Sequence, residues 1–223
     1  MTDDATPFAT KLRGFGPVGV AAALIVTALG PIVEPFGAMA AVAWIQLSET
    51  PWSAVGFTRP KSWARTVMSG VAIGVALKLL LKVIVMPLLG APPTNAAYQY
   101  LVGNTAALPI MMFDVIAGAG FGEELVFRGF LFERLHKLVG ETRSATVAIV
   151  VATSLLFGSV HYPTQGLAGA EQAFTTGLTF GAIYARTRRL WVPMIAHAAF
   201  DIVAVVIIYG GFETRLAHLV LNR

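Results

Sequence analysis

Long apolar runs separated by short polar segments extend over almost the whole chain. A transmembrane helix needs about 20 mostly apolar residues, so this pattern predicts an all-α fold, a polytopic membrane bundle of about six to eight transmembrane helices. The first run, residues 15–47, is broken at Glu34-Pro35, and we expect it to cross the membrane twice as a tight hairpin. The later predicted spans are residues 66–89, 106–120 continuing into 121–138, 144–161, 167–185 and 190–209.

Neither the apolar pattern nor any repeat marks a domain boundary. The apolar runs leave no room for a separate soluble domain, and no tandem repeat of about 20 to 50 residues is visible. We therefore expect residues 1–223 to form a single membrane-embedded domain, with a motif-bearing core at about 106–209.

Composition excludes several classes of protein. Of 223 residues, 56% are hydrophobic and 13% are charged, whereas a soluble domain carries about 25% charged residues. The absence of cysteine excludes disulfides, thiolate metal sites and a cysteine nucleophile. The net charge of +4 arises from short basic segments between apolar runs, which indicates membrane topology and argues against a nucleic-acid partner.

The distribution of Lys and Arg predicts the orientation. With a cytoplasmic N-terminus, the basic segments 59–65, 134–143 and 186–189 all lie inside, and the loops 90–105 and 162–166, which contain no charged side chain, lie outside. This arrangement obeys the positive-inside rule. We therefore expect a multi-pass integral protein, in the cell (inner) membrane of its source, with the lipid bilayer as its surroundings.

Three polar clusters lie inside these apolar runs. An ionisable group at the centre of a membrane costs about 3 kcal/mol or more, so each needs a partner or a function. Within every cluster two side chains stand four residues apart, on one face of a helix. The clusters are Glu123-Glu124 with Arg128, Phe157 with His161, and His197 with Asp201.

The spacing assigns different tasks to the two neighbouring glutamates. Glu124 and Arg128 are placed to form an ion pair, whereas Glu123 lies about 100° round the helix and remains available for chemistry. Asp201, one turn after His197, is placed to fix the tautomer of that imidazole. A carboxylate in a poorly solvated membrane site is suited to take up and return a proton near neutral pH.

These motifs, in this order, resemble the CPBP family of CAAX proteases and bacteriocin-processing enzymes, whose eukaryotic relative is the Ras-converting CAAX endopeptidase. The resemblance rests on Glu-Glu-x-x-x-Arg at 123–128, Phe-x-x-x-His at 157–161 and His-x-x-x-Asp at 197–201. The stretch 56–63 is similar to the segment that precedes the family's core. The family's third motif ends in Asn or Asp, and this chain has Asp201.

The resemblance implies an intramembrane endopeptidase that hydrolyses a peptide bond of a membrane-associated protein or peptide, including a C-terminal or lipid-modified segment. Glu123 and His161 would activate a water molecule. Glu124 and Arg128 would brace their helix, and His197 with Asp201 would stabilise the oxyanion.

Metal dependence stays open at this point. The family is described both as a metalloprotease and as a metal-independent glutamate protease. If zinc is bound, we expect Glu123, His161 and His197 to hold it. Because the spacing is not His-Glu-x-x-His, we favour the metal-independent reading and expect no other cofactor.

Two other functions fit a polytopic chain with buried ionisable residues. A transporter would line a proton relay with such groups, but it predicts an inverted repeat, and none is visible. A catalytically silent scaffold would use the same fold to bind partners, although all three clusters are intact. Lys78 and Lys82, four residues apart in the span 66–89, are expected to face a cavity or the membrane interface.

Overall fold

The described part of the chain is helical. The computed structural model describes residues 5–32 and 34–220, and in these two ranges it contains no β-strand, which confirms the predicted all-α fold. The helices are α1 (Pro7–Arg13), α2 (Pro17–Ile32), α3 (Glu34–Leu47), α4 (Trp63–Leu88), α5 (Thr105–Val139), α6 (Arg143–Thr187), α7 (Trp191–Tyr209) and α8 (Glu213–Ala217), with a 3-10 turn at Ala96–Leu101 between α4 and α5.

Four helices of the described ranges, α4 to α7, are long and apolar enough to cross a membrane. The bent pair α1 and α2 adds a fifth if both form one span, with an angle of 60° between them. The predicted count of six to eight is therefore not confirmed. The apolar part of α3, Phe36–Leu47, is only about 18 Å long, shorter than the hydrocarbon core of about 30 Å. Val33, at the predicted reversal beside Glu34-Pro35, lies outside the described residues.

Large apolar side chains cover the outside of these helices. Leu24 is 65% exposed, Met68 70% and Ile110 61%. A water-soluble protein keeps such contiguous apolar surface small, whereas lipid tails contact it without cost. The surface therefore identifies an integral membrane protein.

Helix α6 folds back on itself. Gly166 has φ of +65°, a conformation that glycine adopts without steric cost, and its backbone is not helical. The two halves of α6 run antiparallel, because Gly158 packs on Phe174 and Gly177 packs on Ser154. The reversal falls at the end of the predicted turn 162–166 and brings the two predicted spans on either side of it together.

Glycines let α4 and α5 approach α7 closely. A methyl group added at Gly74 would lie 2.1 Å from the carbonyl oxygen of Ala196, and one added at Gly120 would lie 2.8 Å from Cβ of Ala198. Small residues at such crossings are typical of membrane helices. Both contacts flank His197, so the tight packing positions the helix that carries it.

Candidate active site

The two glutamates lie in a π-helical part of α5. After the α-helical turn Leu108–Phe113, residues Asp114–Glu123 and Leu125–Phe130 are π-helical. The wider π turn, with i→i+5 hydrogen bonds, is rare and occurs frequently at functional sites. It changes the angle between successive side chains, and it places both Glu123 and Glu124 toward the interior.

Glu124 and Arg128 form the predicted ion pair. Arg128 Nη1 donates to Glu124 Oε1 over 2.7 Å, and both side chains are at most 1% exposed. Arg128 Nη2 also donates to the carbonyl oxygen of Gly177 at 3.3 Å, and its guanidinium group lies 4.8 Å from the centre of the Phe157 ring. The pair therefore ties α5 to both halves of α6.

His197 lies among three carboxylates. Its Nδ1 is 2.9 Å from Oε1 of Glu124, the same oxygen that accepts from Arg128. A carboxylate oxygen can only accept, so Nδ1 carries a hydrogen. The other ring nitrogen, Nε2, is 3.3 Å from Asp201 Oδ2 and 3.8 Å from Glu123 Oε2. His197 thus connects the first and third motifs directly.

His161 is fixed by its own helix. Its Nδ1 is 2.8 Å from the carbonyl oxygen of Phe157, and its ring packs edge-on against the Phe157 ring at a centroid distance of 4.6 Å. Because a carbonyl oxygen only accepts, Nδ1 donates, and Nε2 is the acceptor of the neutral ring. The Phe157 ring also packs against that of His197, at 5.9 Å.

All these elements border one cavity of about 830 Å³. This volume lies in the range of about 300 to 1,000 Å³ that is usual for ligand pockets. At one end the cavity is lined by the ionisable residues of the motifs, Glu123, His161, His197 and Asp201. Phe157, Phe200, Val205 and other apolar side chains form much of the remaining wall.

A second polar cluster holds the loop between α4 and α5, part of which also lines the cavity. Glu213 accepts hydrogen bonds from Lys82 Nζ at 3.3 Å, from the backbone N–H of Asn95 at 2.9 Å and from Gln99 Nε2 at 2.6 Å. Lys82 also donates to the carbonyl oxygen of Pro93. These bonds fasten the 3-10 turn Ala96–Leu101 over the cavity.

The site residues do not form a metal site in this arrangement. Within residues 5–32 and 34–220, no three His, Asp or Glu side chains are grouped as metal ligands. Nδ1 of His197 is bonded to Glu124, Nε2 of His197 lies close to Asp201 and Glu123, and Nδ1 of His161 is bonded to a carbonyl oxygen. The candidate set Glu123, His161 and His197 therefore lacks the convergent geometry that zinc requires, and we derive no step through a metal.

Comparison with known proteins identifies relatives among membrane peptidases. The model of the type II CAAX prenyl endopeptidase Rce1-like family matches residues 105–203. The putative membrane peptidase YdiL of Bacillus subtilis is 30% identical over 109 residues, which are 48% of this chain and 41% of that protein. The membrane-embedded CAAX protease MroQ of Staphylococcus aureus is 25% identical over 150 residues, 66% of this chain and 53% of that protein.

The aligned parts thus span about half the length of these curated relatives. No solved structure matches the chain. The matched region 105–203 contains all three polar motifs, from Glu123 to Asp201, which confirms the resemblance that the motifs predict. Residues 105–203 of this chain are thus similar to the Rce1-like family of CAAX prenyl endopeptidases.

Proposed function

We propose that this chain is an intramembrane endopeptidase that uses Glu123 to activate a water molecule. One observation carries the proposal: Glu123, His161, His197 and Asp201 line the same cavity, although they come from α5, α6 and α7. Hydrolysis inside a membrane requires a site that admits water and a peptide and excludes lipid. A partly polar cavity of this size suits that requirement.

Glu123 acts as the general base and then as the general acid. Its carboxylate takes a proton from water while the water oxygen bonds to the carbonyl carbon of the substrate. The C=O double bond opens to an oxyanion. When the tetrahedral intermediate collapses, the C–N bond breaks and the proton passes from Glu123 to the leaving amine. Such proton transfer typically contributes about 10² to 10⁴-fold to the rate.

His161 orients the attacking water. The hydrogen bond from Nδ1 to the carbonyl oxygen of Phe157 fixes the tautomer, which leaves Nε2 as the acceptor for a hydrogen of the water molecule. Edge-on packing against Phe157 fixes the plane of the ring. His161 therefore needs to carry no charge in this role.

His197 supplies the donor for the oxyanion. Its Nδ1 is occupied by Glu124, so a donation to the oxyanion comes from Nε2, which requires the doubly protonated ring. Asp201, 3.3 Å from Nε2, stabilises that charged form and holds the ring in place. Asp201 itself cannot donate as an amide would, so its part is to position His197.

Glu124 and Arg128 position the other groups without touching the substrate. Glu124 is fully buried and binds Arg128 and His197 through one oxygen. Arg128 compensates the charge of Glu124. Of the two neighbouring glutamates, Glu123 is therefore the one that serves the reaction. The substrate we propose is a membrane-associated protein or peptide, including a C-terminal or lipid-modified segment, at the cell membrane with the chain's N-terminus in the cytoplasm.

Proteolysis by the reconstituted protein tests this function. The purified chain in proteoliposomes is incubated with a peptide library, and new termini are identified by mass spectrometry, with Glu123→Gln as the matched control. We expect cleavage by the wild type that Glu123→Gln largely abolishes and that a chelator such as EDTA leaves unchanged. Equal product from both proteins would contradict the proposal, and loss of cleavage on chelation, restored by zinc, would contradict its metal-independent form.

A further inference from the structure

Lys78 is a buried cation in the wall of the cavity. It lies 15 residues after the first residue of α4, hence about 22 Å along the helix axis, in the middle of a membrane-spanning segment. Its side chain is 7% exposed, and it borders the cavity that also contains Glu123 and His197. A cation at this depth requires a partner, because the surrounding lipid cannot solvate it.

Within residues 5–32 and 34–220, Lys78 forms no ion pair with a carboxylate. Its Nζ donates to Gln172 Oε1 at 3.2 Å and lies 4.6 Å from the centre of the Phe200 ring. In the described ranges the comparable buried cations are paired: Arg128 with Glu124 at 2.7 Å, and Lys82, one turn further along α4, with Glu213 at 3.3 Å. Asp201 and Glu213 act on the charge of Lys78, but neither forms an ion pair with it within the described residues.

We propose that Lys78, together with the amide of Gln172, binds a carboxylate of the peptide substrate and so selects which peptide bond reaches Glu123. This inference rests on the proposed proteolysis. An ammonium group has three donors, and one is used by Gln172, so a carboxylate entering the cavity finds a charged donor. Gln172 Nε2 is the second donor available to it, since its Oε1 faces Lys78.

The location argues for a carboxylate of the peptide and against a lipid phosphate. Lipid headgroups lie at the membrane interface, whereas Lys78 lies many residues from either end of α4. Phosphate recognition commonly uses several cations or a bidentate guanidinium group, and here one ammonium stands near the negative charge of Asp201. One ammonium group therefore suits a singly charged carboxylate better than a doubly charged phosphate. The carboxylate can come from the C-terminus of the peptide or from an Asp or Glu side chain.

Binding and cleavage of matched peptides test the proposal. Four fluorescent peptides differ only in the C-terminal group, acid or amide, and in one internal residue, Glu or Gln. Their affinities are measured by fluorescence anisotropy in the Glu123→Gln background, so that no peptide is consumed, and their KM and kcat are measured with Glu123 intact. Each measurement is made with Lys78, with Lys78→Met, with Lys78→Arg as the charge-preserving variant, and with Lys82→Met as the control.

With Lys78 present, we expect peptides that carry one of the two carboxylates, terminal or internal, to bind more tightly than the matched amide or Gln peptides. Their Kd and KM should be lower by about tenfold to hundredfold. Lys78→Met should abolish this preference and leave the amide and Gln peptides nearly unaffected, Lys78→Arg should restore most of it, and Lys82→Met should retain it. The terminal and internal arms identify which carboxylate is bound.

Equal binding of all four peptides to the protein with Lys78 would overturn the proposal. A loss that Lys78→Met and Lys82→Met share would also overturn it, because the effect would then belong to the general charge of the cavity. If Lys78→Met lowers kcat equally for all four peptides, the proposal is also overturned, because Lys78 would then serve to compensate the charge of Asp201. If no peptide is cleaved but the carboxylate preference in binding depends on Lys78, the proposed hydrolysis fails while the binding site stands.

Discussion

At the scale of single residues, one carboxylate oxygen organises the site. Glu124 Oε1 accepts from Arg128 Nη1 and from His197 Nδ1, and both donors are buried. A buried ion pair contributes little net stability compared with apolar side chains, but removing one member leaves an uncompensated charge. We therefore propose that Glu124 is a structural anchor of the site and that Glu123, one residue earlier, is the general base.

Replacing Glu124 by Gln should destabilise the protein and inactivate it. Arg128 would keep its charge without a carboxylate, so we expect a loss of about 3 to 5 kcal/mol in the free energy of unfolding, seen as a lower melting temperature in detergent. Glu141→Gln is the control, since Glu141 is 75% exposed and its contact with Arg188 is 4.0 Å long. An unchanged melting temperature for Glu124→Gln would show that the pair does not anchor the helix.

The contacts within each motif could be predicted from the sequence, but the contact between motifs could not. A spacing of four residues places Glu124 beside Arg128 and Asp201 beside His197, because both pairs lie on one helical face. The bond from His197 to Glu124 joins residues 73 positions apart. Such a contact depends on how α5 packs against α7, and helical periodicity carries no information about it.

At the scale of elements, the site depends on how closely α5 approaches α7. Gly120 lies directly against Ala198, the residue after His197, and leaves no room for a Cβ atom at position 120. Together with the π-helical turns, this approach sets the position of Glu123 three residues later. Neither feature is visible in hydropathy, because an apolar run has the same mean hydropathy whether its turns are α-helical or π-helical.

Gly120→Ala should therefore reduce activity through helix packing. The new methyl carbon would lie 2.8 Å from Cβ and 3.2 Å from Cα of Ala198, and a backbone atom cannot move without its helix. We expect a loss of about 1 to 3 kcal/mol in stability and a fall of at least about tenfold in hydrolysis, since misplacing catalytic groups by about 1 Å has large effects. Gly16→Ala, with no atom within 4 Å of the added methyl group, is the control. Full activity of Gly120→Ala would show that this contact does not set the geometry.

At the scale of the whole molecule, the proposed orientation in the membrane rests on the distribution of charge and tryptophan. Trp63 packs against Trp191 at a centroid distance of 5.0 Å, next to the basic segment 59–65, and Trp191 Nε1 donates to the carbonyl oxygen of Thr58. Tryptophan with Lys and Arg is typical of the membrane interface. The loop 90–105, at the other end of α4, contains no charged side chain.

Labelling of introduced cysteines tests this orientation. The chain contains no cysteine, so Ser53→Cys and Ala97→Cys each create one thiol, and both positions are exposed. In intact cells or right-side-out vesicles, we expect a membrane-impermeant maleimide to label Ala97→Cys at once and Ser53→Cys only after the membrane is permeabilised. The reverse pattern would place the segment before α4 outside and the loop 90–105 inside, and equal labelling of both positions would contradict the assignment of the two loops to opposite sides.

The number of spans was the part of the fold that hydropathy predicted least well. Apolar runs mark where helices lie, and α4 to α7 follow the predicted runs closely. An apolar run does not show whether a short helix such as Phe36–Leu47 crosses the bilayer, because the length of that helix is below the hydrocarbon thickness.

The central claim is that Glu123 is the group that activates water, and turnover by Glu123→Gln tests it most directly. The substitution keeps the shape of the side chain but removes the base. Hydrolysis of the best library peptide and the melting temperature are measured on the same wild-type and variant preparations in detergent. We predict that hydrolysis falls about 10² to 10⁴-fold while the melting temperature stays close to that of the wild type. Substantial residual hydrolysis, or loss of folding by Glu123→Gln while Glu124→Gln folds normally, would contradict the account.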